Sequence, residues 1–180
     1  MKVLPKILLA LTAVAALSVA YPAKANLITN PGFETGNLTG WTVGGGFQVV
    51  GTLLGVSPHS GSFQAFSLGG PLGQSVATTV GQSYTVDFWA ATTNTAALTV
   101  FGGSTVFNHI FVGPTGYTEL TFTFTAASAS SAIQFGDLAG FIFLDDISVT
   151  PTGVPDGGTT VSLLGCALLG LAGLRRKLGC

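Results

Sequence analysis

Between Asn26 and Thr152 the sequence has no lysine, no arginine and no cysteine. The missing cations exclude a nucleic-acid partner for this stretch, because phosphate binding relies on Lys and Arg to displace counterions. The missing thiols exclude an internal disulfide and a cysteine nucleophile. With no Lys and no Gly-x-Ser-x-Gly elbow either, nucleophilic catalysis has no visible carrier. Charge is scarce everywhere: 7% of the 180 residues are charged, against roughly 25% in ordinary soluble proteins. The two histidines, His59 and His109, are too few and too far apart in sequence for a metal cluster. The chain also lacks an internal repeat and a convincing amphipathic helix.

What charge there is has been partitioned. The basic residues Lys2, Lys6, Lys24, Arg175, Arg176 and Lys177 lie near the two ends, and the two cysteines, Cys166 and Cys180, lie at the C-terminal end. The middle holds Glu34, Asp87, Glu119, Asp137, Asp145 and Asp146, a formal charge of −6. Such asymmetry marks distinct segments.

The ends read as addresses. Residues 1–25 have a positive start, an apolar run from Ile7 to Ala20, and Ala23-Lys24-Ala25 as a small-x-small cleavage site. This predicts a signal peptide cut between Ala25 and Asn26; the alternative is a retained N-terminal anchor. Residues 151–158 form a Pro/Gly linker, residues 159–174 an uncharged apolar run, and residues 175–180 a basic tail. Sixteen helical residues span roughly 24 Å, short of the roughly 30 Å hydrocarbon core, so flanking cations and local thinning would have to help it insert. The positive-inside rule keeps the basic tail cytoplasmic. The sequence Val154-Pro155-Asp156-Gly157-Gly158, the apolar helix and Arg175-Arg176-Lys177 together resemble a PEP-CTERM sorting signal of the VPDSG type, with Gly157 where that variant usually has Ser. The resemblance implies the secretion machinery and an exosortase as partners. It also implies a transient inner-membrane anchor, and release to, or attachment at, the cell surface. An ordinary C-terminal membrane anchor is the alternative.

The middle, residues 26–150, reads as strands. Ser62–Leu68, Gln74–Val80, Ser83–Ala91, Glu119–Ala126 and Phe141–Val149 carry period-two alternation or strand composition between turn residues. In Ser83–Ala91, Tyr84, Val86, Phe88 and Ala90 share one face, and Thr85, Asp87, Trp89 and Ala91 the other. The expected class is all-β, an antiparallel β-sandwich. Asn26-Leu27-Ile28-Thr29-Asn30-Pro31-Gly32-Phe33-Glu34, Gly40-Trp41, Gly81 through Ala90 and Leu144-Asp145-Asp146-Ile147-Ser148-Val149 resemble carbohydrate-binding-module 4/9-like domains. That resemblance implies a galactose-binding-like jelly roll.

Two sets of site residues follow. Asp145 and Asp146 are adjacent on a strand and are expected to point to opposite faces, Asp145 with Ile147 and Val149. A carboxylate buried there needs a partner, and the domain has no base to offer. In resembling modules a structural calcium joins the Asn30–Glu34 segment to the last strand, which implies Glu34 and Asp145 as ligands completed by backbone carbonyls. The alternative is Asp145 hydrogen-bonded to a nearby turn. Trp89, opposite the core-facing side chains, is a candidate platform for a sugar ring, with Asp87 beside it to bond a hydroxyl; the alternative is Trp89 packed beneath a loop. Trp41 reads as core. The function expected is a non-enzymatic cell-surface or extracellular-matrix protein that binds an extracellular polysaccharide. A structural matrix component without a ligand site is the alternative. A glycoside hydrolase is disfavoured, because nothing pairs Asp87, Glu119 or Asp137 as acid and base.

Overall fold

The strand Ser83–Thr92 sets the pattern for the whole molecule. Tyr84, Val86, Phe88 and Ala90 are buried, while Thr85, Asp87 and Trp89 lie on the other side and are only partly covered, because successive strand side chains alternate. The computed structural model describes residues 25–152. The signal segment, the residues from Val154 through Gly158, the apolar helix and the Arg175–Lys177 cluster lie outside the described residues.

Ten antiparallel strands follow one another: β1 (Thr42–Val43), β2 (Phe47–Val50), β3 (Gln64–Ser67), β4 (Gly70–Ala77), β5 (Ser83–Thr92), β6 (Ala96–Gly102), β7 (Thr105–Phe111), β8 (Thr115–Thr125), β9 (Ser130–Ala139) and β10 (Ile142–Pro151). They build two five-stranded sheets, the first ordered β1-β4-β9-β6-β7 and the second β2-β3-β10-β5-β8. The sandwich is the one the alternation predicts. Between the sheets, Phe33, Phe88, Phe135, Leu72, Leu98, Ile133, Leu144 and Ile147 form the core. Each such side chain stabilises the fold by about 1.5–3 kcal/mol relative to exposure. Trp41 is in this core, stacked on Phe33 with its indole N–H donating to the Asn30 carbonyl.

A second, smaller apolar cluster sits on the outside of the second sheet. Phe66, Ala91 and Phe143 pack there under Val50, Leu53, Val56 and Tyr117. Val50 belongs to β2 and Tyr117 to β8, and Leu53 and Val56 come from the long connection between β2 and β3. Its tip is a two-residue turn in which Leu54 and Gly55 both take positive φ, 51° and 81°, closed by reciprocal backbone bonds between Leu53 and Val56. Such left-handed pairs match the twist of tight hairpins. This cover explains why all four residues of β3 are buried.

Both ends of the described chain leave by one pole. Leu27 donates to the Val149 carbonyl and Thr152 to that of Ser83. Ser83 pairs with Thr125 at the same pole.

One expectation is corrected. Asp145 does not share a face with Ile147. The pairing of β10 with β5 is interrupted between Asp145 and Ser148, and Asp146 has φ 47°. This bulge inserts one residue into the alternation. Asp145 therefore pairs opposite Trp89, while Ile147 turns into the core. The same bulge overturns the expectation that Asp145 and Asp146 diverge: both carboxylates reach residues 59 and 60.

Candidate functional site

The outer face of the second sheet gathers the residues that the sequence singled out. Asp145 is fully buried, and its Oδ2 accepts the backbone N–H groups of His59 (2.9 Å) and Ser60 (3.2 Å). Its Oδ1 accepts the N–H of Asp146 at 2.8 Å. Burial pushes its carboxyl up to about 6, against the pull of these three donors and with the Asp146 charge adding to the rise. Asp146 Oδ2 lies 2.7 Å from His59 Nδ1, and its Oδ1 accepts the Ser60 hydroxyl at 2.8 Å. Glu34 holds the next residues, accepting the N–H groups of Ser62 and Phe63 at 3.0 Å. Three carboxylates thus fasten the 59–63 segment mostly through its backbone.

That anchorage places His59 on Trp89. The two rings stack with centroids 3.9 Å apart and planes 14° from parallel, and Tyr117 meets the imidazole edge-on at 5.4 Å. The Tyr117 phenol is held above its ordinary range, first by burial and then by Asp145 and Asp146. Its O–H donates to buried Gln64, whose amide donates to the Gly51 and Val56 carbonyls. Trp89 does face outward, but His59 covers a ring face that a sugar would use. Asp87, two residues away, accepts the Ser148 hydroxyl at 3.5 Å. Beside this cluster lies a cleft of about 510 Å³ bordered by Leu54, Ser57, Thr93, Pro114 and Tyr117.

Glu34 and Asp145 both flank Gly32. A Cβ built at Gly32 would lie 3.2 Å from Asp146 Oδ1, 3.4 Å from Asp145 Oδ1 and 3.8 Å from Glu34 Cγ. Carboxylate oxygens without Lys or Arg beside them are the donors a hard divalent cation takes, while His59 Nδ1 already pairs with Asp146 at 2.7 Å. Among the described residues, no three His, Cys, Asp or Glu side chains are grouped to hold a metal. A cation here would therefore take Glu34, Asp145 and backbone carbonyls, sharing oxygens that already accept N–H groups.

The outer face of the first sheet is different, and sequence reasoning did not single it out. One row crosses all five strands: Thr42, Gly73, Gln134, Phe101 and Val106 are consecutive cross-strand partners. The next row runs Pro71, Gly136, Thr99 and Asn108. Glycine supplies a low floor. A Cβ at Gly73 would come 3.3 Å from the Ile133 carbonyl and 3.6 Å from the Gln134 side chain. Over that floor lies a cleft of about 280 Å³ lined by Thr42, Pro71, Gly73, Ser75, Ala132 and Gln134. Phe101, 38% exposed, is the cross-strand partner of the lining residue Gln134, and the Thr99 hydroxyl donates to Asn108 Oδ1 at 2.8 Å. None of these residues carries a charge. The alternation of Leu98 and Val100 against Thr99 and Phe101 was the available signal.

Comparison with known proteins agrees with this architecture. The β-1,4-galactotriose complex of TmCBM61 is similar at 22% identity, covering 71% of this chain and 99% of that one with TM-score 0.56. A bacteriophage CBA120 tailspike protein 4 domain is similar at 13% identity, covering 70% of this chain but 21% of that one, TM-score 0.55. A GH26-CBM35 β-(1,4)-mannanase of Podospora anserina is similar at 12% identity, covering 74% and 28%, TM-score 0.52. These likenesses show the fold. No curated protein matches the chain in sequence. Residues 153–178 match the VPDSG-CTERM motif. Residues 25–136 match the carbohydrate binding domain of the carbohydrate-binding-module 4/9 family, and the chain belongs to that family.

Proposed function

We propose that this is an exported cell-surface or matrix protein that binds a neutral polysaccharide on the outer face of its first sheet, without catalysis. The observation that carries the reading is the uncharged cleft over Gly73, lined by Gln134, with the exposed Phe101 paired opposite Gln134 on the next strand. An exposed aromatic face stacks on the apolar C–H face of a sugar, and amide and hydroxyl groups bond its hydroxyls. Family membership supports a carbohydrate ligand. A neutral ligand follows from the charge distribution: with no Lys or Arg from residue 26 to 152, an anionic glycan would find no cation to pair with. Trp89 and Asp87 offer the second reading, favoured by the neighbouring 510 Å³ cleft. It requires His59 to leave the Trp89 ring.

Export and tail processing by an exosortase complete the proposal, supported by the motif at residues 153–178. Calcium held by Glu34 and Asp145 belongs to it too, supported by the buried Asp145 carboxylate, which has no Lys or Arg partner among the described residues. A glycan array probed with the full chain tests the function. Binding to one or more neutral glycans is expected, whereas an array without a single hit would leave the purely structural role. A glycoside hydrolase would announce itself by turnover of chromogenic glycosides.

A further inference from the structure

We propose that β7 is a self-pairing edge, and that two copies of this chain join through it as an antiparallel dimer centred on Asn108. An edge strand offers unpaired N–H and C=O groups to any strand that fits, and proteins blunt such edges with short length, charge, proline or bulges. The other edges here carry those devices. β1 has two residues and β2 four. The β4 edge beyond β1 is covered by the N-terminal segment, where Gln74 exchanges bonds with the backbone of Thr29. β8 carries Glu119 and an irregular register near its start.

β7 has none of them. Its seven residues, Thr-Val-Phe-Asn-His-Ile-Phe, include no Lys, Arg, Asp, Glu, Pro or Gly. Its register with β6 is unbroken from Thr105 to Phe111, and β6 is its only strand partner among the described residues. Val106 is 52% and Ile110 68% exposed, flanking Asn108 on the same outward face.

The occupant follows from the spacing. Asn108 is the midpoint of β7. A two-fold axis through it sets Asn108 against its own copy and Val106 against Ile110 of the other chain, twice over. Each β-branched pair would cover its partner on a face that otherwise shows both to water. Charge does not oppose the approach. Asp87 and Glu119 lie on the other sheet, and Asp137 on β9 is separated from β7 by β6. The pairing would extend the first sheet to ten strands. Because both described chain ends leave by the Ser83 pole, the axis sends the two tails in opposite directions. The dimer would therefore join chains that have left the membrane, or chains on two facing surfaces, rather than neighbours on one.

Association through β7 needs no glycan and is measured without saccharide. The mass of the full chain in detergent is measured by light scattering over a concentration series. Dimers are expected, and Val106→Lys or Ile110→Lys should weaken them about tenfold or more. The double variant Val106→Lys with Ile110→Glu should recover association, since the new lysine faces the new glutamate across the axis, whereas Val106→Lys with Ile110→Lys should not. A monomer at every concentration would overturn the proposal. So would association indifferent to the single variants, or a lysine–glutamate pair that fails to restore it.

Discussion

His59 lies flat on Trp89, with ring centroids 3.9 Å apart. The stack exists because Asp145 and Asp146 hold residues 59 and 60 by backbone and side chain together. Aromatic stacking contributes about 0.5–1.5 kcal/mol beyond area burial. His59→Ala should therefore lower stability by about 1 kcal/mol and shift Trp89 fluorescence to longer wavelength as water reaches the ring. An unchanged melting temperature and spectrum would show that the stack does not persist in solution.

Asp145 satisfies three backbone donors at once. Asp145→Ala leaves them part-buried without an acceptor, and hydrogen bonds to a charged group are worth about 1.5–3 kcal/mol each before compensation by water. A loss of about 3 kcal/mol is expected in denaturant unfolding. A loss under about 1 kcal/mol would mean that the loop rehydrates freely.

The same carboxylate sets a pH dependence. Its pKa is about 6 in the folded state against 3.8 for the free side chain. Below 3.8 it is protonated in both states and costs nothing. Between 3.8 and 6 the folded state holds the extra proton, so stability falls as pH rises through this window and the cost is complete above it. The difference corresponds to about 3 kcal/mol. Thermal unfolding between pH 4 and pH 7 reads this contribution as a decline toward neutral pH. Calcium at Glu34 and Asp145 would offset the buried charge, raising the melting temperature more at pH 7 than at pH 4. EDTA should reverse the gain, and equal melting curves with and without calcium would remove calcium from the account.

Gly61 is where the loop turns over Glu34. Its φ is 60°, and a Cβ there would lie 2.4 Å from the Glu34 carboxylate. Gly61→Ala combines backbone strain with loss of that anchor, and should cost about 2–3 kcal/mol. Calorimetry that finds the variant as stable as the parent would show that the 59–63 segment is not fixed as described.

The sandwich was legible because β5 and β8 alternate regularly, with Tyr84, Val86 and Phe88 inward and Thr121 and Thr123 outward. The first sheet was harder to read. Its floor is Gly73, Ala132 and Gly136, residues that carry no hydrophobic signal, and Phe101 gains meaning only beside Gln134 of a strand far away in sequence. Trp89 was visible as an outward aromatic. Its cover was not, because nothing local announces that His59 will be drawn onto it. The bulge at Asp146 was invisible for a related reason: one inserted residue changes the face of every side chain beyond it, and only the three-dimensional pairing reveals it.

Affinity electrophoresis of the full chain in gels containing neutral polysaccharides tests the central claim most directly. Retardation by at least one polysaccharide is expected, weakened about tenfold by Phe101→Ala and retained by Trp89→Ala. Retardation that survives Phe101→Ala and disappears with Trp89→Ala would contradict the account and move the ligand to the opposite face.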